Sequence, residues 1–199
     1  NSLWKPEPGK NQIRIVPYQY NKENPFLELY FHYNLGKRNF LSPISYGEAD
    51  PVNEFAEQLR ATGKSDDFKL SRTLSPRMRT YVPVIVRGQE SEGVKLWGFG
   101  KQVYTELLGF IADPDYGDIT DIKEGHDIKV RCSKAPGMKW ATTEVRPRPK
   151  STPLGTADDV KKWSSDIPEL DDFFQLESYE KLENIVNNWL NEGDTTEEE

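Results

Sequence analysis

The chain has 199 residues, 26 Lys and Arg against 33 Asp and Glu, and a mean hydropathy of -0.77. That length allows one substantial core, or one core with a small satellite lobe. No apolar run approaches the roughly 18 residues of a membrane span, so no membrane partner is expected. The single cysteine, Cys132, excludes an internal disulfide and any multi-thiolate metal site. With no legible signal peptide, it points to a reducing compartment.

The net charge of -7 conceals a division. Residues 1–150 carry 23 basic and 19 acidic side chains, whereas residues 151–199 carry 3 and 14. A mildly basic body with an acidic tail is a recurrent pattern among proteins that handle nucleic acid. The chain starts at Asn1 without a Met and reads as a trimmed fragment.

Asn11–Tyr18 (NQIRIVPY) reads as a strand with Ile13 and Ile15 on one face and Arg14 on the other, ended by Pro17. After the turn NKENP at 21–25, Phe26–Tyr33 is a second strand. Leu27, Leu29 and Phe31 are expected on its core face, with Glu28, Tyr30 and His32 opposite. NLGKR, residues 34–38, is a turn. Asp50-Pro51 opens a helix, a capping carboxylate followed by a residue that needs no amide donor. Val52, Phe55 and Leu59 form its buried stripe, and Gly63 stops it.

The loop GKSDDF, residues 63–68, leads into a basic approach containing Arg72, Arg77 and Arg79, then into a hairpin of Tyr81–Arg87 and Val94–Phe99 across the turn GQESEG. This hairpin sets Lys95 and Lys101 beside Tyr81, Trp97 and Phe99. Lys101–Ala112 is a helix burying Val103, Leu107, Leu108 and Ile111. Asp127–Ser133 alternates cleanly, with Ile128, Val130 and Cys132 inward and Lys129 and Arg131 outward. The turn KAPG joins it to a strand over Met138–Arg146 that carries Lys139 and Trp140. RPRPKSTP is a stiff basic crossing. Thr156 caps a short helix to Trp163, and Glu177–Leu190 is amphipathic, with Leu176, Tyr179, Leu182, Ile185, Val186 and Trp189 at helical spacing. The last residues, GDTTEEE, have the composition of a disordered tail. About six short strands with added helices give a mainly β, α+β chain with a small barrel.

Catalytic motifs are absent: no phosphate-binding glycine loop with a following Lys-Ser/Thr, no GxSxG and no HExxH. His32 and His126 are far apart. Asp113, Asp115, Asp118 and Asp121 lack the spacing of a Ca²⁺ loop and read as a solvated loop. No catalytic residue, metal or cofactor is expected. A nuclease would need a compact carboxylate cluster for two metals, and none is evident.

Trp4 with IRIVP, NPF before a strand ending at His32, the basic cluster before Tyr81–Arg87, EGVKLWGFGKQVY, and EGHDIKVRCSK with PGMKW occur in an order that resembles the single-stranded DNA-binding, helix-destabilising protein of T-even-type bacteriophages. The resemblance spans most of residues 4–145. It implies an OB-type five-stranded barrel with an attached small lobe at about 34–70, together forming a DNA-binding core over 1–154. A helical segment at 155–191 and the start of an acidic tail at 192–199 follow. It also implies sequence-independent coating of single-stranded DNA during phage replication, recombination and repair in the host cytoplasm. Self-association on DNA, and replication and recombination proteins meeting the acidic C-terminus, belong to the same expectation. The family holds zinc through one His and three Cys. Here the His is His32, but the cysteine positions fall near Pro43, Val52 and Phe55, so no zinc is expected and packing of Phe40, Tyr46, Val52, Phe55 and Leu59 must hold the lobe. The family's basic N-terminal arm is not among these residues.

The residues themselves supply cations for phosphates and rings for unstacked bases, the two ingredients of a single-strand groove. The cationic candidates are Arg14, Arg72, Arg77, Arg79, Lys95, Lys101, Lys129, Arg131, Lys139 and Arg146. The stacking candidates are Tyr30, Tyr81, Trp97, Phe99 and Trp140, with Phe99 the one most readily assigned to the core. A protein-interaction module acting through the acidic, amphipathic C-terminus is the alternative.

Overall fold

In the computed structural model, which describes residues 2–18, 24–33, 35–170 and 173–194, the chain is mixed α and β. The strands are β1 (Leu3–Trp4), β2 (Gly9–Ile15), β3 (Leu27–His32), β4 (Phe40–Leu41), β5 (Arg77–Val86), β6 (Lys95–Phe99), β7 (Ile128–Ser133) and β8 (Thr142–Pro147). The helices are α1 (Pro51–Ala61), α2 (Ser65–Leu74), α3 (Lys101–Ala112), α4 (Ala157–Ser165) and α5 (Tyr179–Asp194). Contacts divide the chain into two units, Asn1–Leu27 with Thr80–Glu169 and Glu28–Arg79 with Leu170–Glu199. Parts of the turn expected at 21–25 and of the one at 34–38, and the tail 195–199, lie outside the described residues.

In the first unit the strand order is β1-β6-β5-β2-β7-β8. β1 lies parallel to β6, and the other neighbours are antiparallel. The two-residue side-chain period sends Ile13, Ile15, Val82, Val84, Trp97, Phe99, Ile128, Val130 and Val145 to one face, where α3 lays down Val103 and Leu107. Truncating a large buried side chain of this kind costs about 2–5 kcal/mol. The hydrogen-bonded path runs from β1 to β8 without closing into a barrel. A second cluster, Val16, Ile85, Val94, Leu154 and Trp163, joins the chain after β8 to the sheet. α4 starts with a reciprocal cap: Thr156 Oγ1 accepts from the Asp159 amide, and Asp159 accepts from the Thr156 amide.

The second unit gathers Val52 and Ala56 of α1, Leu74 of α2, Leu182 and Val186 of α5, and Leu35 and Phe40 beside the β3–β4 pair. Asp50 caps α1 by accepting from the amides of Val52 and Asn53, and Pro51 occupies the first turn.

Local readings change in several places. The loop expected at 63–68 is mostly helix α2: Asp66 and Asp67 sit in its first turn and Arg72 in its last, which suits the helix dipole. β8 begins at Thr142, so Met138–Ala141 belong to the hairpin loop. Leu27 and Leu108, expected inside, are 39% and 44% exposed. Tyr46, expected to pack the lobe, is also exposed, whereas Phe40 and Val52 are buried.

Candidate nucleic-acid interface

Three of the expected stacking rings are structural. Trp97 is buried between Trp4 and Phe99, with ring centroids 5.5 and 4.7 Å away in edge-on geometry. Phe99 also meets Phe26 edge-on at 6.3 Å. Both point to the sheet's core face, because Trp97 is paired with Val82 and Phe99 with Thr80. Tyr81 is buried on the other face, over its cross-strand partner Gly98. A Cβ there would lie 2.5 Å from the Tyr81 ring. None of these rings offers a free face to a base.

Arg14 leaves the phosphate set for a similar reason. It is fully buried, and its Nη1 donates to Asp127 Oδ1 and Thr152 Oγ1 while Nη2 donates to the carbonyls of Asp121 and Thr152. Asp127 accepts in addition from Gln12 and from Nε and Nη2 of Arg87. Burial alone would raise the Asp127 carboxyl, but the bonds from Arg87 and Gln12 and the charges of both arginines hold it below the ordinary carboxylate range. Burial pulls the Arg14 guanidinium down from its usual value against the opposing pull of Asp127. Gly125 closes over this clasp: a Cβ there would meet Asp121 O at 2.3 Å and Arg14 Nη2 at 2.6 Å.

Trp140 is different. It is 74% exposed in the β7–β8 loop, with Met138 also exposed, and Lys139 Nζ lies 5.2 Å from its ring centroid. From that loop the strands carry Lys129, Arg131 and Arg146 outward, alternating with buried Ile128, Val130 and Val145. Lys129 faces Arg146 across the β7–β8 register, and Arg131 faces Glu144 and, on the other side, Lys10. The sequence reading left Lys10, Arg148 and Lys150 out of the site, although the alternation R-P-R-P-K carried the signal; all three are exposed. Lys101 is exposed at the start of α3, whereas Lys95 is engaged by Glu92 at 3.0 Å.

The second unit holds the remaining candidates. Arg72 is exposed on α2, Arg77 is exposed at the start of β5, and Arg79 and Tyr30 are half-buried. Tyr33, not singled out by sequence, lies within the field of Arg79 and Arg77; burial nevertheless pushes its phenol upward.

A zinc ion does not fit this unit. His32 Nδ1 lies 2.9 Å from Leu74 O and Nε2 lies 2.5 Å from Asp50 Oδ2, so neither ring nitrogen has a lone pair aimed at a metal. Ser42 also donates to Asp50, and Pro43, Val52 and Phe55 have no ligating atoms in their side chains. Among the described residues no group of three or more His, Cys, Asp or Glu could hold a metal ion.

A sheet that turns cations outward on alternate residues, with an indole exposed at its hairpin tip, defines a binding module for a polyanion that also carries flat rings. A family model described as gp32 DNA binding protein like matches residues 7–190. The chain belongs to this family and is a DNA-binding protein of the gp32 type. No curated protein matches it.

Proposed function

We propose that the chain binds single-stranded DNA with little sequence preference and so protects it during replication, recombination and repair of a phage genome in the host cytoplasm. The observation that carries this reading is Trp140, exposed beside Lys139 at the tip of a hairpin whose outward residues are mostly basic. An exposed ring accepts any unstacked base on its π-face, because stacking is sequence-tolerant. Phosphate contacts add affinity that falls as salt rises. Duplex hides its base faces, so preferential binding of single strands shifts the duplex equilibrium by mass action, without catalysis. The helices supply no base-reading element to this hairpin. An OB-type arrangement of the first unit, self-association along DNA and contacts of the acidic C-terminal region with replication and recombination proteins belong to the same proposal.

The alternative, a protein-interaction module acting through the C-terminal amphipathic helix, is disfavoured by α5 itself. Its apolar residues Leu182 and Val186 are already buried within the second unit.

A fluorescence titration with oligo-dT, a mixed-sequence single strand and a duplex of equal length, each at two salt concentrations, tests the proposal. The expected result is similar binding of both single strands and far weaker binding of duplex. Preference for duplex, or for one short sequence, would overturn it.

A further inference from the structure

The outward face of β2, β7 and β8 has a register that goes further than a basic patch. Lys10 and Arg131 are direct partners, as are Lys129 and Arg146. Pairing then continues one step beyond β8, where the Arg148 amide donates to Asp127 O at 2.8 Å. Arg148 Nη1 reaches back across the face to Gln12 Oε1 at 3.0 Å, and Gln12 is the partner of Lys129. Lys150 follows, exposed. The acids facing this surface are Glu144, opposite Arg131, and Asp127, whose charge is taken up by Arg14 and Arg87. None of Lys10, Lys129, Arg131, Arg146, Arg148 and Lys150 has an ion-pair partner among the described residues.

Arg146, Arg148 and Lys150 occur at every second residue. In extended chain that step is about 6.6–6.8 Å, comparable with the separation of successive phosphates in a stretched single strand. We propose that this face is a phosphate track. A single strand whose base stacks on Trp140 continues along the β8 direction toward Lys150, meeting about one cation per nucleotide. This rests on the single-strand reading above and adds to it a direction, a minimum length and three residues, Lys10, Arg148 and Lys150. An acidic polypeptide would share the charge but has no ring for Trp140 and no reason to match the spacing.

The test compares two triple variants of the whole chain. One is Arg146→Gln/Arg148→Gln/Lys150→Gln. The other removes equal charge from exposed positions off the track, Lys123→Gln/Lys161→Gln/Lys162→Gln. For oligo-dT of about 12 nucleotides the track variant should show a log–log salt slope shallower by about two units, at roughly 0.7 per lost contact on single strands. The control should keep the wild-type slope. A dT tetramer, long enough only to reach Trp140 and its nearest cations, should lose far less than the longer strand. Equal losses in the two triples would mean that only the general field matters and would overturn the track. So would competition by poly-Glu as effective as by oligo-dT of equal charge. Absence of any single-strand binding by the unsubstituted chain would instead overturn the underlying function. Should the triple variant melt early, Lys150→Gln alone carries the test, with an expected change of about 0.7 in slope.

Discussion

Trp140 and Trp97 are both indoles in unit 1, and the structure assigns them opposite fates on truncation. Trp140 is 74% exposed and Trp97 is 1% exposed. Trp140→Ala removes a ring that packs on little besides the Lys139 ammonium at 5.2 Å, so stability should move by no more than about 0.5 kcal/mol. For a chain of this size that is a Tm change of about 1–2 °C. Loss of one stacked base should cost about 1–3 kcal/mol of binding, which is roughly 5- to 150-fold in Kd. Trp97→Ala should do the reverse, costing about 3–5 kcal/mol of folding while the residual folded fraction binds normally. Thermal melting and an oligo-dT titration, run on both variants, separate the two effects. Quenching of tryptophan emission by oligo-dT should also largely disappear in Trp140→Phe. A Trp140→Ala protein that melts far below wild type yet binds normally when folded would refute the assignment of this ring to DNA.

Asp127→Ala should cost about 3–5 kcal/mol, because it strands the buried Arg14 charge; a urea midpoint close to wild type would show that the clasp contributes little. Acid should destabilise the fold. Asp127 and Asp50 are both held below the ordinary carboxylate range, by bonds from Arg87 and Gln12 and from His32 and Ser42 respectively, despite burial that acts the other way. Their stabilisation is complete above the unfolded value of about 4 and is lost as pH falls through the lower folded values, so urea midpoints that do not drop between pH 5 and pH 3 would contradict it. Arg77→Ala/Arg79→Ala should weaken binding and make the salt slope shallower by about one to two units; weaker binding at an unchanged slope would mean that neither side chain touches phosphate. Metal analysis of the purified protein should find no stoichiometric zinc, since His32 is committed to Leu74 and Asp50; one chelator-resistant zinc per chain would disprove that account.

Periodicity made most of the sheet legible. Ile13 and Ile15, and likewise Ile128 and Val130, alternate with polar residues, and the register follows from that alternation. α3 was readable end to end because Gly100 and the Asp113-Pro114 pair bracket a helical pattern. α2 was not, because Asp66 and Asp67 look like loop residues until their place in a first helical turn is known. The site was harder. A ring beside a cation is visible in sequence at both Trp97 and Trp140, but which ring is covered depends on Trp4 and Phe26, which are distant in sequence from Trp97 and Phe99. Arg14 looked free for the same reason: its acceptors lie 107 to 138 positions away. Trp140 was placed on a strand because the hairpin turn was read as shorter than it is.

The interleaving of the two units sets the order in which this chain can fold. Unit 1 opens with β1 and β2 but needs Asp127 and Thr152 to seat Arg14, and unit 2 begins at β3 but needs α5 to complete its core. Tyr179 donates to Glu54 across 125 positions. A nascent chain that has emerged only as far as α3 therefore contains most of its aromatic core residues and neither of its closures. Loop-closure entropy grows only logarithmically with length, so long connections burden the rate of folding more than the final stability. Folding one unit after the other during synthesis, the usual route for chains with consecutive domains, is closed to this topology. Both units must be finished late and close together in time, with hydrophobic strands such as β5 and β6 waiting exposed until then.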